Sequence, residues 1–204
     1  MITRQAFYPG FYPVRIAISP GFCILIFWFA FANGFRALAM VFAAAAVHEI
    51  GHFMALNLRG ARVTEIRFGI SGAIMTTENF KLSYGDELCA VLAGPAANLA
   101  AALCLRAAGN INPALTGVNV ILCIFNLIPV RTLDGGRALE LLISWAFGPD
   151  AAESVIRMIS MTASAALAFG IGMMIYQTGG SLWLLPAMIG MILSALKEKR
   201  IYNR

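Results

Sequence analysis

Two histidines and a glutamate form the pattern in this sequence that is best suited to chemistry. They lie in the run VHEIGHF at 47–53, and His48 and His52 are the only histidines among the 204 residues. If the run is helical, positions i and i+4 share a face, so both imidazoles can reach one metal ion. Glu49 would project beside them, where its carboxylate could act as a general base. This HExxH arrangement predicts a zinc site with two nitrogen ligands.

The setting of these histidines favours function over chance. The run 47–53 lies inside a long apolar stretch, and ionisable groups within a membrane are costly and usually functional. The alternative is a pair of histidines that merely pack in a helix bundle. The cost of placing them in lipid favours the metal site.

A second polar cluster, NLIPVRTLDGGR, lies at 126–137. Its proline, aspartate and glycines cannot continue a regular lipid-facing helix, and non-helical backbone at membrane depth must be buried in protein or line a watery cavity. Asp134 therefore needs a partner, and the histidine pair is one candidate. The alternative is an ion pair with Arg131 or Arg137 at a membrane-surface turn. Asp134 is thus a candidate third ligand.

The composition is that of an integral membrane protein. The chain is 60% hydrophobic and 12% charged, with a mean hydropathy of +0.78, and a soluble domain would not expose so much apolar sequence. The net charge of +5 comes mostly from residues at span ends, which indicates contact with lipid head groups and not nucleic acid. The four cysteines lack CxxC pairing and are expected to be buried free thiols.

The apolar runs predict an all-α polytopic membrane protein with about six spans of about 20 residues. A single transmembrane domain, 1–204, would have its core at 35–137. The spans are expected at 16–32, 35–58, 86–105, 118–128, 154–176 and 181–196, with a short helix at 138–147. Gly94 and Pro95 are expected to break the third span locally, and Asn98 is expected to hydrogen-bond across to a neighbouring helix.

A small membrane-associated β-hairpin is expected after the second span. Two β-prone runs, 62–68 and 73–77, are joined by GISG, which is typical of a hairpin. One interpretation is an ordinary connecting loop. The other is an edge strand that pairs with an extended substrate through main-chain hydrogen bonds.

The basic residues predict the orientation of the chain in the cell membrane. With six spans, both termini and the hairpin would lie on one side, together with most lysines and arginines, whereas the opposite side would hold only Arg36 and Arg106. The positive-inside rule then predicts a multi-pass protein with both termini in the cytoplasm.

With HExxH in one span and NxxPxxxxDG at 126–135, the chain resembles the site-2 protease family of intramembrane zinc metalloproteases. The similarity extends over about residues 35–137 and includes GPxxN at 94–98. It is greatest to the compact bacterial branch that contains the sporulation protease for pro-sigma-K. We expect the chain to lack the nucleotide-sensing domain of that branch and the PDZ domain of other relatives.

The resemblance implies specific roles for the candidate residues. His48, His52 and Asp134 would bind Zn²⁺, Glu49 would be the catalytic base, and Asn126 would help to hold the substrate or the developing oxyanion. The implied activity is hydrolysis of a peptide bond in or next to a membrane segment of a protein, as in regulated intramembrane proteolysis of a sigma factor or anti-sigma factor. A membrane protein regulator is a further expected partner.

Two other function classes stay open on the residues alone. A zinc-binding transporter could use the same ligands, but it would be expected to carry polar residues across several spans and would give Glu49 no necessary role. A catalytically silent membrane scaffold is the second alternative, and the intact Glu49 argues against it. The substrate, the cleavage position and the oligomeric state do not follow from the sequence.

Overall fold

The computed structural model of the chain describes residues 14–70, 72–78, 82–109 and 111–177. These residues are mostly helical, with a small sheet. The elements in chain order are β1 Arg15–Ile18, α1 Pro20–Leu58, β2 Val63–Gly69, β3 Gly72–Thr77, α2 Tyr84–Ala107, α3 Pro113–Asn126, α4 Asp134–Phe147 and α5 Pro149–Gln177.

The long helix α1 consists of two helical segments that meet at Gly34. This glycine has φ 82° and ψ 161°, a conformation that glycine adopts readily and that other residues rarely adopt. The two segments correspond to the first two predicted spans. The first segment begins at Pro20 and not at residue 16, because Ser19 caps it by accepting a hydrogen bond from Phe22 N and proline suits the first helical position.

The predicted β-hairpin is present, and it belongs to a larger sheet. β2 and β3 are antiparallel, with Gly69 opposite Gly72, and β1 adds to β2 in parallel, so the strand order is β1-β2-β3. Residues 15–18 therefore form a strand instead of the start of the first span, which corrects the predicted boundary. The main-chain groups of this strand pair with β2 before the chain turns into α1 at Ser19.

Helix α2 lies at the centre of the helical part and contacts α1, α3 and α4. It runs through the buried Pro95 as one helix, so the expected local break is wrong. Small residues allow α1 and α2 to approach closely: a Cβ added at Gly51 would lie 2.5 Å from Ala93 O. This packing holds α2 against α1 on both sides of Pro95, as small residues commonly do between membrane helices.

Three of the helices in the described ranges, α1, α2 and α5, are long and apolar enough to cross a bilayer. Helix α3 is apolar but has only 14 residues, about 21 Å at 1.5 Å per residue. It matches the fourth predicted span, and α4 matches the short helix. The span predicted at 181–196 lies outside the described residues, so the count of six spans stays a prediction.

Candidate metal centre

His48, His52 and Asp134 come together at one point between α1 and the start of α4. The two Nε2 atoms lie 3.0 Å apart. Asp134 Oδ2 lies 3.0 Å from Nε2 of His48 and 3.3 Å from Nε2 of His52. His48 is buried, and the other two residues are half-buried. The loop between α3 and α4 thus brings the third group to the histidine pair.

The far nitrogens of both imidazoles face hydrogen-bond acceptors. His52 Nδ1 lies 2.8 Å from the main-chain oxygen of Ala90, which can only accept, so Nδ1 carries the ring proton. His48 Nδ1 lies 2.7 Å from Asn98 Oδ1, also an acceptor. In a neutral imidazole the second nitrogen then bears a lone pair. Both Nε2 atoms are therefore free to act as metal ligands.

This arrangement fits a bound zinc ion. When both imidazoles are neutral with the proton on Nδ1, the three facing atoms are all acceptors, and Asp134 Oδ2 is buried without a hydrogen-bond partner in the described part of the chain. A cation between the three atoms would relieve their mutual repulsion. Their separations are close to the value of about 3.3 Å between ligands of a tetrahedral zinc ion with bonds of about 2.0–2.1 Å. Two imidazoles and a carboxylate are also ordinary zinc ligands.

Glycines without room for a side chain shape the site. A Cβ added to Gly94 of α2 would collide with ring atoms of both His48 and His52. At Gly135 and Gly136, an added Cβ would meet the main chain of the loop 127–133. The glycines of the two sequence patterns therefore permit close backbone approach to the imidazoles and close folding of the loop that leads to Asp134.

Arg131 attaches this loop to α5. Its guanidinium forms two hydrogen bonds with the carboxylate of Glu153, Nη1 to Oε1 at 3.0 Å and Nη2 to Oε2 at 2.5 Å. Its main-chain N–H donates to Ser160 Oγ at 3.0 Å, and Ser160 is fully buried. Paired arginine–carboxylate bonds fix geometry as well as charge. The loop before Asp134 is therefore held on the side that faces α5.

Arg137 makes the corresponding link to α2. It pairs with Glu87 in the first turns of α2 and, at 3.2 Å, with Glu140 one turn further along α4. Both arginines that could have neutralised Asp134 are thus paired with glutamates, whereas Asp134 faces the histidines. The sequence offered the histidine pair or one of these arginines as the partner of Asp134, and in the structure Asp134 contacts the histidine pair.

Glu49, His52 and Asp134 open onto a cavity of about 1030 Å³. They form one end of its lining. Strand β3 forms another wall through alternate residues, and the start of α2 and Trp145 of α4 complete it; the β3 residues are Ala73, Met75 and Thr77. The cavity therefore connects the outer strand of the sheet with the candidate metal ligands His52 and Asp134.

Asn126 is the last residue of α3 and is half-buried. Its Nδ2 donates to Leu122 O of the same helix at 3.0 Å, and Asn126 is not among the described residues that line the cavity. Its expected contact with a substrate therefore stays a prediction.

Some supporting groups could not be recognised from the sequence. Asn98 was expected to reach a neighbouring helix, and it does so, but its hydrogen bond to His48 was not anticipated. Asn119 was not singled out, although an amide in an apolar run was a usable signal. The main-chain oxygen of Ala90 carries no sequence signal at all.

The chain is similar in sequence to known proteins. Residues 106–171, which include Asp134, match the model of Peptidase family M50. A Synechocystis protein that is provisionally named a zinc metalloprotease is 30% identical over 114 residues, covering 51% of this chain and 30% of that protein. Rip3 of Mycobacterium tuberculosis, also provisionally named a zinc metalloprotease, is 26% identical over 196 residues, covering 88% of this chain and 49% of Rip3.

The fold has a match among solved structures. The Site-2 Protease from Methanocaldococcus jannaschii superimposes with a TM-score of 0.66 at 20% identity, covering 90% of this chain and 89% of that one. The predicted resemblance to the site-2 protease family is confirmed. The chain spans about half or less of the length of the curated relatives it matches. Its greater likeness to the sporulation branch stays a prediction.

Proposed function

We propose that this chain is an intramembrane zinc endopeptidase that hydrolyses a peptide bond in or next to a membrane segment of a protein. The observation that carries the proposal is the convergence of His48, His52 and Asp134 at the end of a cavity that Glu49 also lines. The curated relatives named as zinc metalloproteases support it, as does the M50 match.

His48, His52 and Asp134 would hold the zinc ion. Three protein ligands leave a fourth position open, and the bound metal would supply Lewis acidity there. The protein's part is to fix the three ligand atoms. The two Nδ1 hydrogen bonds and the clamped loop 127–133 would serve this purpose.

Glu49 would act as the general base and then as the general acid. Its carboxylate lies in the wall of the cavity, beside the ligands on α1, where it could take a proton from an attacking water and pass it to the leaving amine. Asn126 would stabilise charge on the substrate carbonyl oxygen. Its Nδ2 carries two hydrogens, so one can donate to Leu122 O while the other donates to substrate.

Strand β3 would bind the substrate in extended form. It is an outer strand of the sheet, and three of its residues line the cavity that contains Glu49. Pairing with β3 would supply main-chain hydrogen bonds. It would also keep the substrate out of a helix, in which its carbonyl groups are hydrogen-bonded and protected from attack. The outer strand therefore offers a means of presenting an unwound segment to the metal centre.

The remaining expectations form part of the same proposal. The chain would be a multi-pass protein of the cell membrane with about six spans and both termini in the cytoplasm. Its partners would be the lipid bilayer, a membrane-embedded or membrane-associated protein substrate, and a membrane protein regulator. Sigma-factor or anti-sigma-factor processing is the substrate class suggested by the family resemblance.

The proposal is tested by comparing new protein N-termini in membranes from cells that express either wild type or Glu49→Gln. New termini inside or beside apolar segments, seen only with wild type, are the expected result, and they would also identify candidate substrates. Identical termini in the two samples would contradict proteolysis. If wild type instead changed zinc uptake by the cells, the transporter alternative would replace the proposal. If neither new termini nor a change in zinc uptake were seen, the catalytically silent scaffold would be the remaining alternative.

A further inference from the structure

Asn98 joins three helices through every polar group of its side chain. It is fully buried on α2, with 0% of its surface exposed. Its Nδ2 donates to Ala44 O of α1 and to Asn119 Oδ1 of α3, both at 2.9 Å. Its Oδ1 lies 2.7 Å from His48 Nδ1. A buried amide is costly unless its donors and acceptor are all satisfied, and here they are.

The direction of each hydrogen bond in this chain is determined. Ala44 O is a main-chain oxygen and can only accept, so Asn98 must turn Nδ2 toward it. Asn119 donates its own Nδ2 to Leu115 O at 2.9 Å, so it presents Oδ1 to Asn98. A flipped Asn98 amide would place oxygen against oxygen at Ala44. Oδ1 of Asn98 therefore faces His48, and His48 Nδ1 must be the nitrogen that carries the proton.

We propose that Asn98 is a positioning residue that holds His48 in the tautomer able to bind zinc, with Asn119 supporting Asn98. The inference rests on the proposed zinc site but not on proteolysis. The contrast with His52 is informative, because a main-chain oxygen orients that ring, and no substitution removes a main-chain oxygen. His48 depends on a side chain. Groups that orient a ligating histidine in this way commonly affect metal affinity about 10- to 100-fold.

The chain offers a direct measurement, because it contains only two histidines. The full-length protein, labelled with ¹⁵N-histidine and freed of metal with a chelator, should give NMR signals from only two rings. In their neutral form, both rings should carry the proton on Nδ1, which faces an acceptor oxygen in each case. In Asn98→Leu, His48 should lose this preference, whereas His52 should keep it and serve as the internal control.

Zinc affinity measured by chelator competition supplies the second readout. Asn98→Leu should weaken zinc binding about 10- to 100-fold. Asn119→Leu is the matched control, because it removes the same hydrogen bond between α2 and α3 but leaves Asn98 between Ala44 and His48. This variant should keep the His48 tautomer and lose less affinity.

Two results would overturn the inference. Equal losses of affinity in the two leucine variants, with the His48 tautomer unchanged in both, would reduce Asn98 to a packing residue. A wild-type His48 that carries its proton on Nε2 would refute it even if neither variant folded. Neither the tautomer measurement nor the zinc affinity depends on cleavage of a substrate. A failure of this inference can therefore be distinguished from a failure of the proposed protease activity.

Discussion

The three candidate metal ligands are held in place by three different kinds of group. A main-chain oxygen orients His52, a buried amide orients His48, and the clamped loop 127–133 leads to Asp134. Glu49 does not belong to this group of three candidate ligands, but it lies beside them in the wall of the cavity. Metal binding and proton transfer should therefore be separable by single substitutions.

Replacing Glu49 should separate these two properties. Glu49→Gln keeps the shape and hydrogen-bonding capacity of the side chain but removes the base, so zinc content should stay unchanged while cleavage falls about 10²- to 10⁴-fold. Zinc content of the purified variant and cleavage of a substrate identified from new N-termini would check both. Glu65→Gln, on β2 and paired with Arg67, is the control. A Glu49→Gln protein with full activity would exclude Glu49 as the base.

Asp134→Ala should lose zinc instead. Removing the only carboxylate among the three convergent atoms should cost at least the factor of about 10–100 that weaker, indirect contacts contribute. Zinc retained after dialysis against a chelator is the measurement. Asp86→Ala, which removes a carboxylate paired with Arg59, should retain the metal. Unchanged zinc in Asp134→Ala would remove Asp134 from the set of ligands.

For individual residues, the sequence is informative where the relevant contact is local. His48 and His52 share a face because of helix geometry alone, so their pairing could be predicted from spacing. Asp134 could be singled out because a carboxylate at membrane depth needs a partner. The hydrogen bond between His48 and Asn98 could not be predicted, because it joins residues 50 positions apart and depends on how α1 and α2 pack.

Among the elements, the close packing of α2 against α1 decides whether the imidazoles fit. Gly94 faces both rings, and an added Cβ would overlap their atoms. Membrane helices often meet through small residues, but here the small residue faces ligands instead of another backbone. The GPxxN stretch therefore combines a space for the histidines with the amide that orients one of them.

Gly94→Ala should impair the site without removing any ligand. Overpacking of this kind costs about 1–3 kcal/mol, so zinc affinity should fall by about 5- to 150-fold as the rings or α2 shift. Chelator competition measures the loss. Gly117→Ala on α3, where an added Cβ meets nothing within 4 Å, is the matched control and should bind zinc normally. Wild-type affinity in Gly94→Ala would contradict the packing of α2 against the imidazoles.

Two element predictions failed for tertiary reasons. Residues 16–18 are apolar enough to begin a span, and only their pairing with β2, far along the chain, makes them part of a strand. Pro95 lacks a helix donor and favours a break, but packing on both sides keeps α2 whole. The hairpin of β2 and β3 was predictable, because its strands are close in sequence and glycines join them.

At the scale of the whole molecule, the metal centre is assembled from distant parts of the chain. The M50 match covers residues 106–171 and so contains Asp134 but neither histidine, whereas the structural match to a site-2 protease extends over 90% of the chain. The fold brings the two histidines to Asp134 by placing α1 beside α2 and by turning the loop before α4 inward. The centre should therefore form only in the folded chain.

The folded chain should bind one zinc ion through His48, His52 and Asp134. X-ray absorption at the zinc edge, with the zinc content of the purified full-length protein, tests it most directly. We expect one zinc per chain with nitrogen and oxygen ligands and no sulfur. Zinc bound through sulfur from any of the four cysteines, or a folded protein unable to take up zinc, would contradict it.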